Sequence, residues 1–142
     1  MGAVGLNFGS PTSGQGFDVT STVNQIVTNL QSVALLSLAW AQGRGDLLQA
    51  AMRDRIHQPY RESICPQLGR LLPLAGHEGV LGVALSGAGP AVLVVVENEF
   101  QVPHACAAIQ RSLTGMAPPE LLVGPFSDRG AHWTSVVAGV LD

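Results

Sequence analysis

The chain has 142 residues, of which 46% are hydrophobic and 12% are charged, and its formal net charge is −3 at pH 7. A chain of this length forms one domain with a substantial core, and its seven Lys and Arg residues form no cluster, which argues against a nucleic-acid partner. The low charge content predicts surface that is covered by more protein, so we expect a homo-oligomer.

The chain begins with a segment unlike the rest. Residues 1–21 are rich in Gly and Ser, which predicts either a disordered leader or a substitute for an edge strand. Residues 22–142 form the domain. Its first helix is capped by Ser21 or Thr22 and ends at Gly43. Apolar residues recur along it at steps of three and four and predict a core-facing stripe of Val23, Ile26, Val27, Leu30, Val33 and Ala34.

A second helix, capped by Asp46, is predicted over residues 47–56. The string DRIHQPYR follows at residues 54–61, and its proline predicts a bend that presents His57, Tyr60 and Arg61. The guanidinium of Arg61 offers two parallel donors that suit a carboxylate. In the alternative interpretation, Arg61 pairs with Glu62 or Asp54 at the surface and His57 is a packed side chain.

Two strands are predicted around a Gly-rich loop. Leu81, Val83 and Leu85 alternate with small residues, and residues 91–96 are an unbroken apolar run typical of a strand buried on both faces. The loop between them, residues 86–90, brings backbone N–H groups to the edge of a sheet, where they suit an anion. Alternatively, its glycines only make the turn. The loop is neither a Walker A site nor a dinucleotide-binding fingerprint.

The remaining elements complete an α+β fold. A helix with a buried stripe of Val102, Ala105, Cys106, Ile109 and Leu113 is predicted to start near Pro103 and end at Gly115. Strands are predicted at residues 121–123 and 134–140. Because the strands follow one another as hairpins, we expect a mainly antiparallel sheet of about four strands with helices packed on one face.

The sequence contains no export or membrane signal. No N-terminal stretch combines basic residues with an apolar core, and the longest apolar run is too short to span a bilayer. Cys65 and Cys106 lack the spacing of a metal or redox pair, which indicates reduced thiols. We therefore expect a cytoplasmic protein with no membrane partner and no metal site of its own.

Two motifs carry a resemblance to a known family. The string LSGAGP at residues 85–90, set between two strands, resembles the C-terminal glycine motif of the GHMP small-molecule kinases, and within that group the homoserine kinases. The string at residues 54–61, followed by Ile-Cys-Pro at residues 64–66, is similar to a homoserine kinase segment in the same order and spacing. The resemblance covers about residues 22–140. It implies a ferredoxin-like domain with a short helix at residues 68–75.

The resemblance also implies a function. Homoserine kinases transfer phosphate from ATP, with Mg²⁺, to the side-chain hydroxyl of L-homoserine in threonine biosynthesis. By motif match, Arg61 would bind the substrate carboxylate and His57 would support it. The backbone of Gly87, Ala88 and Gly89, buttressed by Ser86, would lie close to the substrate and the phosphates. The resemblance assigns no further catalytic residue.

The family's phosphate loop, of Pro-x-x-x-Gly-x-Gly-Ser-Ser-Ala type, does not occur in the 142 residues. We therefore expect the C-terminal portion of a homoserine kinase that is inactive and without cofactor by itself, with a missing N-terminal kinase domain as partner. Two alternatives remain. The chain is a non-catalytic amino-acid-binding or dimerisation module, or an enzyme completed by a second polypeptide. The family domain also opens with a strand where this chain has its leader, so the sheet lacks an edge strand or borrows one.

Overall fold

The computed structural model describes residues 19–127. Its α-helices are α1 (Val19–Gln42), α2 (Leu48–Ala51), α3 (Gln58–Arg61), α4 (Pro66–Leu71) and α5 (Val102–Ser112). Its strands are β1 (Val80–Leu85) and β2 (Val92–Val96), and short 3-10 turns lie at Gly45–Leu47, Leu72–Leu74 and Glu99–Gln101. No helix in this part of the chain has the length and hydropathy needed to cross a membrane.

The two strands form an antiparallel hairpin in which Val83 pairs with Val94 and Leu85 with Val92. The register is interrupted by an irregularity between Val80 and Gly82, a local bulge that shifts which side chains share a face. Helices and an antiparallel hairpin confirm the α+β class.

The expected four-strand sheet is not seen in the described residues. Residues 121–123 form no strand, and Leu122 and Val123 are 89% and 65% exposed. An apolar run becomes a strand only when it finds a hydrogen-bonded neighbour and a face to bury. Its expected partner at residues 134–140 lies outside the described part.

The core covers both faces of the hairpin. On one face Val83 packs with Leu71 and with Ala105, Ile109 and Leu113 of the α5 region. The opposite face, reached by the alternation of side chains along β2, buries Val95 against Ala39 of α1 and Leu48 of α2. The expectation that helices pack on one face is therefore corrected: α1 and α2 lie on one side, and α4 and α5 on the other.

The first helix differs from its prediction in two respects. It already begins at Val19, so Ser21 and Thr22 lie inside it and do not cap it. Its predicted core stripe is mostly exposed, since Val23, Ile26, Val27, Leu30 and Val33 are 45–65% exposed and Ala34 is exposed as well. The helix instead buries Ser32 and Ala39. Helical spacing identified an apolar face but not whether the chain covers it.

The other helices were predicted with varying success. The helix expected at residues 68–75 is confirmed as α4 and its following 3-10 turn, and the helix near residues 102–113 is confirmed as α5. The helix expected over residues 47–56 ends at Ala51. Gln58 and Pro59 begin one helical turn, α3, where a bend was predicted. The side chain of Asp54 accounts for both differences.

Candidate functional site

Asp54 organises the segment that carries the predicted site residues. Its Oδ1 accepts hydrogen bonds from the N–H groups of Ile56 (2.8 Å) and His57 (2.9 Å), and its Oδ2 accepts one from the N–H of Gln58 (3.2 Å). A carboxylate that satisfies backbone donors two to four residues ahead competes with helix continuation and caps the next helix. Asp54 therefore stops α2 from extending and starts α3.

Asn29 ties this segment to α1. Its Nδ2 donates to Oδ1 of Asp54 (2.7 Å), and its Oδ1 accepts from the N–H of Arg55 (2.9 Å). Both bonds bridge residues at least 25 positions apart in the chain. The pair holds the Asp54 segment against the middle of α1.

The surroundings of Asp54 favour its charged form. Partial burial raises the pKa of this carboxyl, but hydrogen bonds from the His57 N–H, the Asn29 carboxamide and the N–H groups of Ile56 and Gln58 lower it by more. The net result is a pKa below the ordinary value. The carboxylate is thus ionised at neutral pH, and both of its oxygens can accept these hydrogen bonds.

His57 and Arg61 lie one helical turn apart and are joined by a hydrogen bond. Nε of Arg61 donates to Nε2 of His57 over 3.1 Å, a spacing at which helical side chains meet. Within residues 19–127 the two Nη groups of Arg61 make no hydrogen bond, and Arg61 forms no ion pair with Asp54 or Glu62. The alternative interpretation, in which Arg61 forms a surface ion pair with Glu62 or Asp54, is therefore not found. The Nη groups of Arg61 are available to a ligand.

The glycine loop is closed by its own backbone. The N–H of Ser86 donates to the carbonyl of Ala91 (2.9 Å), and that of Gly89 donates to the carbonyl of Ser86 (3.0 Å). Gly87 has φ 57°, in the left-handed region that favours glycine. Gly87 and Ala88 are exposed, and their N–H groups have no acceptor among the described residues. The loop can therefore offer two backbone donors to an anion.

Cys65 connects the two motifs. Its N–H donates to the carbonyl of Arg61 (2.8 Å), and its buried Sγ lies 3.4 Å from the carbonyl oxygen of Pro90. No direct hydrogen bond joins Arg61 or His57 to the loop in the described part of the chain. The structure thus brings the end of α3 and the end of the glycine loop together through one buried thiol.

A polar cleft of about 570 Å³ lies beside Asp54. It runs between Asn24, Gln25 and Thr28 of α1 and Asp54, Arg55 and Pro59. Its walls carry amide, hydroxyl and charged groups that suit a small polar molecule. Arg61 and the glycine loop are not among its lining residues, so this cleft is adjacent to the predicted site and not identical with it.

Sequence reasoning missed three of these groups. Asn29, Asp54 and Cys65 link the segments of the candidate site, yet only their neighbours were singled out as site residues. A usable signal existed for Asp54, because Asp shortly before a Pro-containing turn often bonds backbone groups ahead of it. Asn29 and Cys65 gave no local signal of their hydrogen bonds, since their partners are 25 positions away in sequence. Among residues 19–127, no group of three or more His, Cys, Asp or Glu side chains is arranged to hold a metal.

The part of the chain that contains both motifs is similar to known proteins. A family model described as GHMP kinases C terminal matches residues 33–114. The homoserine kinase of Solibacter usitatus is 48% identical over 110 residues, which are 76% of this chain and 35% of that protein. The homoserine kinase of Deinococcus radiodurans is 53% identical over 64 residues (45% of this chain, 21% of that protein). That of Saccharomyces cerevisiae is 40% identical over 81 residues (54% and 23%).

The chain spans about a third or less of the length of these relatives. No solved structure matches it.

Proposed function

This chain belongs to the family of GHMP kinase C-terminal domains, and from that premise we propose that it is the C-terminal portion of a homoserine kinase, the portion that holds the amino-acid substrate. The proposal draws on relatives that carry the name homoserine kinase. The observation that carries it in this chain is the His57–Arg61 pair, joined through Cys65 to a loop with two available backbone donors.

Arg61 is the proposed carboxylate-binding residue. His57 accepts the hydrogen bond from Nε of Arg61, which orients the guanidinium and leaves the Nη groups for the two carboxylate oxygens of L-homoserine. A bidentate pair of this kind fixes the orientation of the ligand as well as its position. Asp54 acts through α3, since the turn that carries Arg61 starts on its carboxylate.

The glycine loop is the proposed phosphate-facing element. The N–H groups of Gly87 and Ala88 suit the oxygens of a phosphate or of a phosphorylated product, because both residues are exposed and neither N–H has an acceptor among the described residues. In a complete kinase, ATP would supply the phosphoryl group for the homoserine hydroxyl, and Mg²⁺ would neutralise its charge. Residues 19–127 contain no group of three or more His, Cys, Asp or Glu side chains that could hold a metal ion.

The chain by itself is proposed to bind but not to turn over. Phosphoryl transfer depends almost entirely on positioning and electrostatic stabilisation, and the 142 residues contain no Gly-Ser-Ser phosphate loop. The remainder of a kinase, on the same or another polypeptide, would supply this phosphate loop.

Two measurements on the 142-residue chain test this function. Calorimetric titration with L-homoserine is expected to give saturable binding, and the amino alcohol that lacks the carboxylate is expected not to bind. A coupled assay for ADP release with ATP, Mg²⁺ and homoserine is expected to show no turnover above the Arg61→Ala variant. Absence of homoserine binding would contradict the substrate-holding role. Turnover by the chain alone would contradict the proposed dependence on a further domain.

A further inference from the structure

A second cavity, of about 290 Å³, lies beside the Asp54 segment. It shares Asp54, Arg55 and Pro59 with the polar cleft, but its other walls come from the residues around α2, the turn after α4 and strand β1. We call it the β1-edge cavity. Neither Arg61 nor His57 lines it, and no residue of the glycine loop does. It is therefore separate from the site proposed for L-homoserine.

The floor of the β1-edge cavity is apolar. It consists of Met52, Pro59, Leu72, Ala75 and Val83. Met52 packs on the α1 and α2 side of the hairpin, whereas Leu72 and Ala75 pack on the α4 and α5 side. Both sides meet at β1, and β2 contributes no residue to the cavity. The cavity thus lies at the edge of β1 that does not pair with β2.

Gln58 places a nearly buried carboxamide in the wall of this cavity, since its side chain is only 5% exposed. Its Nε2 donates to the carbonyl of Met52 over 3.4 Å, which is longer than the usual range for such a bond. Its Oε1 accepts no hydrogen bond from residues 19–127, although a carboxamide oxygen can accept two. Because a buried polar atom without a partner is costly, this oxygen offers an acceptor to a molecule inside the cavity.

Three charged side chains lie at the rim of the cavity. Arg53, Arg55 and Glu62 line it and are exposed. Within residues 19–127 their charged groups form no ion pair with one another or with other side chains. The carboxylate of Asp54, in contrast, already accepts four hydrogen bonds. The rim therefore presents two cations and one anion that are open to a ligand.

We propose that the β1-edge cavity binds a free aliphatic amino acid in its zwitterionic form. The guanidinium groups of Arg53 and Arg55 receive the carboxylate of the ligand, for which their parallel donors are suited. The Glu62 carboxylate and Oε1 of Gln58 accept hydrogen bonds from its ammonium group. Its side chain lies on the apolar floor, where burial of hydrocarbon is favourable. This binding role goes beyond the proposed substrate-holding function and does not depend on it.

The lining favours this chemical class over simpler ligands. A fatty acid would use the floor and the arginines but would set a second carboxylate beside Glu62. An aliphatic amine would leave both arginines unpaired, and a polar amino acid would bury a hydroxyl or amide group on an apolar floor. No aromatic side chain of the described residues lines the cavity, which favours an aliphatic ligand over an aromatic one. The volume lies at the lower end of the range for ligand cavities and suits a molecule smaller than a typical drug.

Calorimetric titration of the full chain with L-leucine tests the site, and saturable binding is expected. Three analogues each lack one of the recognised groups: 4-methylpentanoate lacks the ammonium group, 3-methylbutylamine lacks the carboxylate and glycine lacks the side chain. Each is expected to bind at least about tenfold more weakly, because it loses a charged hydrogen-bonded contact or the buried hydrocarbon. Saturating L-homoserine is expected not to displace L-leucine, because the two sites share no proposed binding residue.

Three variants locate the ligand. Glu62→Gln is expected to weaken L-leucine binding at least about tenfold by removing the charged partner of the ammonium group. Glu120→Gln is the matched control, because Glu120 is exposed and does not line the cavity. Ala75→Phe fills the floor and is expected to abolish binding, with retention of helix content checked by circular dichroism. Because Glu62 is exposed, its replacement does not depend on the core tolerating a larger side chain.

The proposal is overturned if L-leucine does not bind, or if 4-methylpentanoate binds as tightly as L-leucine. Equal L-leucine affinities of Glu62→Gln and Glu120→Gln would also contradict it. Displacement of L-leucine by L-homoserine, or loss of L-leucine affinity in Arg61→Ala, would place the ligand in the homoserine site instead. Binding of L-leucine without binding of L-homoserine would contradict the proposed function and support this separate site.

Discussion

Nδ2 of Asn29 lies 2.7 Å from Oδ1 of Asp54, and this contact joins the middle of α1 to the segment that ends in Arg61. The same carboxylate accepts three backbone hydrogen bonds from residues 56–58. One side chain therefore sets both the attachment of α1 and the start of α3. The position of Arg61, the candidate carboxylate-binding residue, therefore depends on the carboxylate of Asp54, although Asp54 itself need not contact a ligand.

Replacing Asp54 by Ala should destabilise the chain by about 2–4 kcal/mol, because three backbone N–H groups and the Asn29 carboxamide lose a charged acceptor. Urea unfolding monitored by circular dichroism measures the change. Asp46→Ala is the control, since this exposed carboxylate lies in a surface ion pair with Arg44 and exposed pairs contribute little. Equal unfolding midpoints for the two variants would show that the Asp54 network is not a stabilising element.

The Asp54 carboxyl should also make stability depend on acidity. Its pKa is lower in the folded chain than its ordinary value, so its contribution is present above the ordinary carboxyl range and is lost as pH falls through the folded pKa. Urea midpoints measured from neutral to strongly acidic pH should fall more for the wild-type chain than for Asp54→Asn. If the urea midpoints of the two proteins fell equally with pH, the acid sensitivity would come from other carboxyl groups.

Arg61→Ala should lower the affinity for L-homoserine about 10- to 100-fold, the equivalent of losing a charged hydrogen-bonded contact of about 1.5–3 kcal/mol. Arg61→Lys should restore only a small part of the lost affinity, because an ammonium group cannot donate two parallel hydrogen bonds to a carboxylate. Isothermal calorimetry gives both values. Arg53→Ala, which removes an exposed arginine from the same region, serves as the control for net charge. Unchanged affinity in Arg61→Ala would refute the carboxylate assignment.

Gly82 of β1 lies close to the backbone of α2 and to the Met52 side chain that follows it. A Cβ at this position would overlap Sδ of Met52 and lie 3.4 Å from the carbonyl of Leu48, so Gly82→Ala should cost about 1–3 kcal/mol. The paired variant Gly82→Ala with Met52→Ala should cost less than the sum of the two single changes. Gly69→Ala in α4 is the contrasting case: its Cβ would meet nothing closer than 4.0 Å, and Ala is expected to stabilise the helix by about 0.5–1 kcal/mol. Thermal unfolding separates the two positions.

Local pattern identified much of this fold. Alternation and an apolar run predicted β1 and β2 on either side of residues 86–90, and helical spacing predicted α5 with Ala105, Ile109 and Leu113 buried. It failed where a side chain competes with the backbone, as Asp54 does at the end of α2. It also failed at residues 121–123, where apolar character did not produce a strand within the described part.

The sequence alone was enough to identify the glycine loop, the segment at residues 54–61 and the family to which they belong. Each of the two motifs consists of a few consecutive residues, so no tertiary contact is needed to recognise it. Only the tertiary structure decided that the apolar stripe of α1 faces outward, that Asn29 holds Asp54, and that Cys65 joins Arg61 to Pro90. These relationships link residues about 25 positions apart or more, or depend on what covers a face. Periodicity measures which side of an element is apolar, whereas burial and hydrogen-bond partners are set by the elements that pack against it.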